Sequence, residues 1–282
     1  MKTVVLEGNC QAGIMARFLG LCPVLATEYE FKHVPNYGEA TAEQRGQYNH
    51  WATTCAIWIE QVGTTRTTDY SGYLASHCRR IRIPVLICLS LWPLMAKDPR
   101  SKPELPAYPW GKFPYGDKLV IKLLSRLNDP DQVFQEYVNT DISSEVDFKM
   151  VHEMTLERFR RIESTCDFGV SDYYVEHIQN ERLFHAVNHM SANLIEQLVQ
   201  SISSCLASEA GLAGADLSEG QHNRHTAYVQ QEPLGGVQLP IHPQVIEFFK
   251  LTWVKPDDSY KYFKQHLNWR NYLMKYIRYE LD

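Results

Sequence analysis

The sequence predicts an α/β protein with a small parallel β-sheet flanked by helices and a largely helical C-terminal half. Three observations support this fold class. An apolar strand, a glycine-containing turn and an amphipathic helix follow one another at the N-terminus. Further short apolar runs recur at intervals long enough for a crossover helix. From Asp117 onward, apolar residues recur mainly with helical spacing.

The N-terminal half accounts for the predicted sheet. A first strand is predicted at residues 3–6, where β-branched and apolar residues precede Gly8. The helix after it is indicated by apolar residues at helical spacing, namely Ala12, Ile14, Met15, Phe18 and Leu19. Further buried strands are predicted at residues 29–34, 56–62 and 83–89. Strands that alternate with helices in this way favour a doubly wound sheet.

The segment at residues 92–116 carries six prolines. Proline fixes φ and removes a backbone donor, so neither a regular helix nor a central strand is predicted there. We expect a long ordered loop or a lid. Loops of this length in a compact domain often line a functional site, although a plain solvent-facing excursion explains the prolines equally well.

The second half is predicted to be mainly helical. Asp129 is a predicted cap because Pro130 follows it. Residues 213–236 lack periodicity and are expected to form a surface loop. From Gln244, aromatic residues recur at helical intervals; they are expected to pack against the core or, alternatively, to contact a partner or an extended substrate. The predicted helices lie at residues 119–127, 129–138, 147–163 and 176–206.

Length, composition and charge set the remaining bounds. We expect one α/β domain over residues 1–282, with a core at about 1–206 and an aromatic helical extension at about 240–282. Hydrophobic residues make up 44% and charged residues 22%, which excludes disordered and low-complexity classes. A formal charge of −5 gives no broad reason to bind nucleic acid. No membrane span and no signal peptide are recognised, so a cytoplasmic location is expected.

Cysteine usage and common motifs exclude several classes of protein. The seven cysteines are odd in number and contain no C-x-x-C pair, so neither a disulfide framework nor a zinc knuckle is predicted. Most are expected to be small buried hydrophobic residues. G-x-G-x-x-G, Walker A, G-x-S-x-G and EF-hand patterns are absent from the sequence. This disfavours dinucleotide oxidoreductases, P-loop kinases and ordinary α/β-hydrolases.

Both the position and the residue types of the turn Glu-Gly-Asn-Cys-Gln at residues 7–11 indicate a chemical role. It joins the carboxyl end of the first strand to a helix N-terminus, where open α/β sheets bind ligands. The helix dipole is expected to lower the pKa of Cys10 and make its thiol a nucleophile. Backbone N–H groups around Gly8, Cys10 and Gln11, with the Asn9 or Gln11 amide, would form an oxyanion hole. The structural alternative is that Gly8 permits a tight turn, Asn9 caps the helix and Cys10 is merely small.

A nucleophilic thiol needs a base, and eleven histidines are available. His185 and His189 lie four residues apart and are predicted to share one helical face, opposite an apolar stripe. No glutamate completes an H-E-x-x-H pattern around them, so we expect a solvated pair and predict no metal site. His77 and His152 are weaker candidates for the base.

Three blocks of sequence resemble the WcbI family of capsular polysaccharide biosynthesis proteins. V-L-E-G-N-C-Q-A resembles the family's opening motif. LSLWPLMAKDP followed by YPWGKFPYGD is similar to its proline- and aromatic-rich middle, and CDFGVSDYY with RLFHAVNHMSANLI to its later helical block. Asn188 and His189 match the start of an Asn-His-Pro-Ser element, in which Met190 replaces the proline. The resemblance runs from about residue 3 to 206.

The resemblance implies a fold with an SGNH-like or flavodoxin-like core and a coenzyme A-dependent O-acetyltransferase. Acetyl-CoA would be the donor, and a carbohydrate hydroxyl would be the acceptor. Cys10 would be the nucleophile, Gly8, Asn9 and Gln11 would serve the oxyanion side, and His189 would be the base. The resemblance does not decide whether Cys10 is acylated or only positions the thioester.

The phosphates of coenzyme A need cations, and the sequence does not identify the residues that would bind them. Weak candidates are Arg79, Arg80, Lys112 and Lys118, which nothing in the sequence distinguishes from solvated surface charges. Two other functions also stay open. One is an SGNH-like esterase in which water replaces the sugar, and the other is a non-catalytic carbohydrate-binding protein of a polysaccharide assembly. The acyl chain, the acceptor sugar and the oligomeric state are not predicted.

Overall fold

The chain forms two compact units in a computed structural model that describes residues 1–65, 68–230, 232–255 and 257–281. Each unit is assembled from three separate stretches of the chain. The first unit comprises Met1–Leu86, Glu157–His177 and His189–Gly235. The second unit comprises Ile87–Leu156, Ile178–Asn188 and Gly236–Asp282. The expectation of a single domain stays a prediction.

A four-stranded parallel sheet forms the centre of the first unit, as the sequence predicts. Its strands are β1 Lys2–Gly8, β2 Tyr29–Pro35, β3 Ile57–Val62 and β4 Arg79–Pro84. The order is β2-β1-β3-β4, and each adjacent pair is parallel. The chain leaves β1 toward β2 and then returns to β3 on the other side. The carboxyl ends of β1 and β3 therefore form a topological switch point, where such sheets bind ligands.

The described residues also contain eleven α-helices, six short strands and two 3₁₀ helices, Ser71–Tyr73 and Ile142–Ser144. The helices are α1 Cys10–Gly20, α2 Pro23–Ala26, α3 Ala42–Thr54, α4 Lys118–Leu124, α5 Pro130–Asn139, α6 Phe148–Glu163, α7 Ser171–His177, α8 Ala192–Glu209, α9 Ser218–Gln230, α10 Pro243–Phe249 and α11 Trp269–Arg278. The short strands are β5 Met95–Ala96, β6 Gly116–Asp117, β7 Phe184–Ala186, β8 His189–Met190, β9 Tyr260–Tyr262 and β10 Gln265–Leu267. Among the described residues, no helix combines the length and apolar character of a membrane span.

Burial of β1 and α1 fixes the start of the first unit. Val4, Val5 and Leu6 are fully buried, because helices cover a parallel sheet on both faces. One face of α1 is also buried, and this helix packs on β1, β2 and α8. The helical spacing of apolar residues that predicts α1 therefore marks the face of the helix that packs on the sheet.

The predicted strand at residues 83–89 is displaced from the observed β4, Arg79–Pro84. β4 is an edge strand in which Arg80 and Arg82 are exposed, so its sequence is too polar to indicate a buried strand. The apolar residues that suggested a strand instead follow it. The N–H of Val85 continues the ladder beyond β4 by donating to the carbonyl of Val62 at 2.9 Å.

Two predictions for the second half of the chain are wrong. The helix predicted at residues 176–206 is interrupted: α7 ends at His177, two short strands follow, and α8 starts only after Ser191. The surface loop predicted at residues 213–236 contains the thirteen-residue helix α9. This helix is attached to α8 largely by polar contacts, which leave little apolar periodicity in its sequence.

The second unit contains the proline-rich segment and the aromatic C-terminus. Residues 92–116 form an ordered loop with short β pairings, in agreement with the prediction that excluded helix. Many C-terminal aromatic rings pack together; Phe113, for example, stacks on Tyr262 with 5.5 Å between ring centroids. β9 and β10 form a hairpin that the helical prediction for this region missed. A mainly apolar cavity of this unit is lined by Trp92, Tyr115, Asp117, Tyr137, His242, Trp269, Tyr272 and Tyr276, among others.

Candidate functional site

The structure places Cys10 as the first residue of α1, separated from the end of β1 by Asn9, at the switch point. Asn9 has extended backbone angles and caps the helix: its Oδ1 accepts a hydrogen bond from the Gln11 N–H at 2.9 Å. The Nδ2 group of Asn9 makes no hydrogen bond to the described residues. It is therefore a donor that a ligand oxygen can use.

Close packing requires glycine at position 8. A Cβ added to Gly8 would lie 2.6 Å from the Cβ of Ala12 and 2.6 Å from Oε1 of Gln61. Side chains do not tolerate such distances, so the turn approaches β3 only because Gly8 lacks a side chain. Oε1 of Gln61 accepts a hydrogen bond from the Asn9 N–H at 2.9 Å. Gln61 thereby holds the turn against the end of β3.

The side chain of Gln11 links three segments of the first unit. Its Oε1 accepts from Nε2 of Gln61 at 2.9 Å, and its Nε2 donates to the carbonyl of Leu86 at 2.8 Å. Gln11 is fully buried. One N–H of its amide is therefore used in holding the fold, and the oxyanion role suggested for Gln11 from the sequence stays a prediction. The donors that face the Cys10 sulfur are the backbone N–H groups of Cys10 and Gln11.

The expected lowering of the Cys10 pKa is wrong, because the pKa is raised. Burial of the thiol is the largest effect and raises the pKa, while hydrogen bonds from the N–H groups of Gln11 and Cys10 lower it by a smaller amount. Desolvation outweighs the favourable helix terminus because the thiolate loses most of its contact with water. The resting thiol is therefore protonated at neutral pH and needs a base to become a nucleophile.

His33 lies at this turn, although the sequence did not single it out. Its Nε2 is 3.1 Å from the carbonyl oxygen of Gly8, and its ring lies 3.0 Å from the position of a Cβ on Gly13. Gly13 and Cys10 are three residues apart and share a face of α1. Burial lowers the pKa of His33, so the ring is neutral near pH 7. With Nε2–H donating to Gly8, Nδ1 is the basic nitrogen.

The histidines considered from the sequence lie in different settings. His189 is the first residue of β8 and is partly buried, whereas His185 lies in β7 and is buried. The shared helical face predicted for them is wrong, since the helix begins after Ser191. His77 is exposed. His152 belongs to the second unit, where its Nδ1 is 3.0 Å from the Ser90 hydroxyl.

The arginines proposed for phosphate binding lie away from the Cys10 turn. Arg79 and Arg80 open β4, and the opening of a parallel strand is the edge of the sheet opposite to its carboxyl edge. Arg79 pairs with Glu209, and Arg80 pairs with Glu60 at 2.6 Å. Both arginines are therefore assigned to surface ion pairs rather than to the site.

The two lysine candidates belong to the second unit. Lys112 lies 3.7 Å from the Glu104 carboxylate and faces the ring of Tyr108. Lys118 is the exposed first residue of α4. Neither contact indicates a phosphate site.

A depression follows β2 on the carboxyl side of the sheet. It holds about 1170 Å³ of empty space, part of it open to solvent. Tyr37 lies in it close enough to Cys10 that a thiolate there raises the pKa of its hydroxyl, after burial, which is the larger cause. Among the described residues that line this depression, Arg45 carries a positive charge. The lining residues are Pro35, Tyr37, Gly38, Glu39, Ala40, Gln44, Arg45, Tyr48, Thr68 and Tyr70.

Sequence reasoning missed Gln61, His33 and Arg45, although a signal for the first two exists. Gln61 is next to last in β3, and His33 pairs in register with Leu6 near the end of β1. Once the strand order β2-β1-β3 is assumed, polar residues near the carboxyl ends of the flanking strands must approach the turn after β1. Arg45 lies on α3, and no pattern in the sequence distinguishes it.

Two comparisons with known proteins identify the fold and the family, and a search of curated proteins finds no match. A solved structure of WcbI is described as that of a novel polysaccharide biosynthesis enzyme, in native form without a disulfide bond between coenzyme A and one of its cysteines. It is 16% identical, with a TM-score of 0.74 over 99% of this chain and 89% of that chain, and this likeness shows the fold. The model of the polysaccharide biosynthesis enzyme WcbI matches residues 3–210. The chain therefore belongs to the WcbI family of polysaccharide biosynthesis enzymes.

Proposed function

We propose that this protein is a coenzyme A-dependent O-acetyltransferase that acts on a sugar hydroxyl during polysaccharide biosynthesis. The observation that carries the proposal is the placement of the Cys10 thiol at the switch point, with the Cys10 and Gln11 N–H groups facing its sulfur. A thiol in this setting exchanges acyl groups with a thioester. The family supplies the class of pathway.

The residues around Cys10 fit an acyl-CoA donor. The depression after β2 is large, and Tyr37 places it close to the thiol. Arg45 offers a cation for a phosphate, which Arg79 and Arg80 do not. The WcbI structure is described by reference to a bond between coenzyme A and a cysteine, and we assign the corresponding role to Cys10.

The chain's own groups suffice for a two-step transfer. A base removes the proton from Cys10, and Sγ attacks the thioester carbonyl carbon. The Asn9 Nδ2 group and the backbone N–H groups of the turn then stabilise the oxyanion, and the thiol of coenzyme A leaves with a proton. In the second step the sugar hydroxyl attacks the acyl-Cys10 carbon, a base accepts its proton, and the Cys10 thiolate leaves.

Two histidines compete for the role of base, and one experiment separates them. The family resemblance assigns the role to His189, whereas the contacts of His33 with Gly8 and with Gly13, one helical turn after Cys10, support His33. Replacement of the base by glutamine should slow acyl transfer by about 100-fold or more. His33→Gln and His189→Gln are compared in single-turnover assays, with the exposed His77→Gln as control. A variant with unchanged transfer eliminates its residue.

The central test is acetyl transfer from acetyl-CoA to a panel of methyl pyranosides with wild type, Cys10→Ala and Cys10→Ser. We expect wild type to form an acetyl-enzyme detectable by mass spectrometry, and both variants to lose transfer while still binding acetyl-CoA by calorimetry. Full transfer by Cys10→Ala would exclude covalent catalysis through this thiol. Acetyl-CoA hydrolysis that outpaces transfer to every sugar would replace the transferase proposal with an esterase.

A further inference from the structure

Cys55 and Cys78 bring two sulfur atoms together at the end of the sheet remote from Cys10. Their Sγ atoms are 3.4 Å apart. Cys55 ends α3 just before β3, and Cys78 immediately precedes β4. β3 and β4 are paired in register from Ile57 and Arg79, so the two cysteines flank the first rung of a parallel ladder. We propose that Cys55 and Cys78 are a thiol pair that a peroxide converts to a disulfide.

The backbone geometry suits such a bond. The register that pairs Ile57 with Arg79 offsets Cys55 and Cys78 by one residue, and across this offset their Sγ atoms are 3.4 Å apart. The backbone here is held by hydrogen bonds from the Arg79 N–H to the Ala56 carbonyl and from the Cys55 N–H to the Trp51 carbonyl, each 2.9 Å or shorter. From this separation the sulfur atoms must approach each other by a little over 1 Å to reach the S–S distance of about 2.05 Å in a disulfide.

The two thiols have unequal surroundings. Cys55 is fully buried in a cluster with Tyr48, Trp58 and Tyr70, whereas Cys78 is partly exposed at its edge. The hydrogen bond with Cys55 lowers the pKa of Cys78, and Arg80 adds to the effect. The pKa of Cys55 is raised. A partly exposed cysteine with a lowered pKa beside a second thiol is the arrangement of a peroxide-sensitive cysteine and its resolving partner.

The reaction balances with hydrogen peroxide as the oxidant. The Cys78 thiolate attacks one peroxide oxygen, so an S–O bond forms, the O–O bond breaks and hydroxide leaves. The Cys55 sulfur then attacks the Cys78 sulfenic acid; the S–S bond forms, and the oxygen leaves as water with the thiol proton. Two thiols lose two electrons in total, and one peroxide is reduced to two waters.

The test treats the full-length protein with hydrogen peroxide, blocks remaining thiols with N-ethylmaleimide and maps the peptides by mass spectrometry. We expect wild type to yield a linked Cys55–Cys78 peptide that dithiothreitol releases. Cys55→Ser should instead accumulate a Cys78 sulfenic acid that dimedone captures. Cys205→Ser, which removes a partly exposed cysteine of α8, should leave the link intact.

Several results would contradict the proposal that Cys55 and Cys78 form a redox-active thiol pair. Wild type that keeps both thiols free under peroxide, or that oxidises Cys78 to sulfinic acid without linkage, contradicts it. So does a link formed between other cysteines. Because wild type alone gives the primary result, a variant that fails to fold does not compromise the test. The outcome is also independent of acetyl transfer, which does not involve this pair.

Discussion

At the scale of single residues, Gly8 has no room for a side chain, and the smallest substitution tests how tightly the turn is built. We expect Gly8→Ala to lower the free energy of unfolding by about 1–3 kcal/mol, because the added methyl group overlaps Ala12 and Gln61. Acetyl transfer should fall with it, since the strain lies beside Cys10. Chemical denaturation measures the first effect and the transfer assay the second.

Gly46→Ala is the matched control for this substitution. Gly46 is an exposed residue of α3 whose added Cβ would meet no atom within 4 Å. In a helix this change should stabilise by about 0.5–1 kcal/mol. A Gly8→Ala protein as stable as wild type would show that the turn relaxes and does not depend on glycine.

The pH dependence of Cys10 alkylation distinguishes burial from helix-terminus activation. Because burial raises the pKa of Cys10, its reaction with iodoacetamide should still be accelerating at pH 9, as the thiolate fraction grows. Peptide-resolved mass spectrometry measures the rate at Cys10 separately from the other six cysteines. A rate that levels off below pH 8 would instead indicate an activated thiolate and restore the expectation drawn from the sequence.

The same residue marks a limit of sequence reasoning. The position of Cys10 at a helix N-terminus follows from local pattern, since strand, turn and helix are each encoded by neighbouring residues. The pKa of its thiol depends on how much of the chain covers it, which is a tertiary property. Local sequence therefore predicted the place of the sulfur and misjudged its protonation.

At the scale of elements, α9 is a helix attached by buried charge. Arg224 donates to both carboxylate oxygens of Glu196 on α8, at 2.8 and 2.6 Å, and is only 1% exposed. Tyr228 donates to the same carboxylate at 3.0 Å. A helix anchored in this way needs no apolar stripe, and hydrophobic periodicity is the signal that predicts helices from sequence. This explains why the region was expected to be a loop.

Arg224→Met should destabilise the first unit by about 3–5 kcal/mol, because it leaves the Glu196 carboxylate buried without its counter-charge. Arg224→Met combined with Glu196→Gln removes that charge and should recover at least about half of the loss. Arg17→Met, at an exposed position of α1, should change stability by less than about 0.5 kcal/mol. Urea denaturation measures the free energy of unfolding of wild type and the three variants. A double variant no more stable than Arg224→Met would show that packing, not charge, anchors α9.

At the scale of the whole molecule, the fold class was predictable and the assembly of the site was not. Alternation of apolar runs with helices predicts a parallel sheet, and three of its four strands lie within one or two residues of their expected positions. The strand order β2-β1-β3-β4 is not written in any one segment. It is the order that brings Gln61 and His33 to the Cys10 turn, so these residues became visible only with the structure.

Stability of the second unit should respond to pH through two groups with opposite signs. Burial raises the pKa of Asp117 from 3.8 to about 6 and lowers the pKa of His242 from 6.5 to about 4. As pH rises from about 4 to 6, the unfolded Asp117 ionises before the folded one, and stability is lost. As pH falls from about 6.5 to 4, the unfolded His242 gains a proton before the folded one, and stability is again lost. Over this window the two contributions oppose each other.

Asparagine variants separate the two contributions while preserving both helix caps, since Asp117 caps α4 and His242 caps α10. Relative to wild type, Asp117→Asn should gain on the order of 3 kcal/mol of unfolding free energy between pH 4 and 7 as the pH rises. His242→Asn should gain a similar amount as the pH falls from 7 to 4. Denaturant unfolding at half-unit pH intervals measures both differences. If the stability differences of the two variants from wild type changed with pH in the same direction, the opposite pKa shifts of Asp117 and His242 would be contradicted.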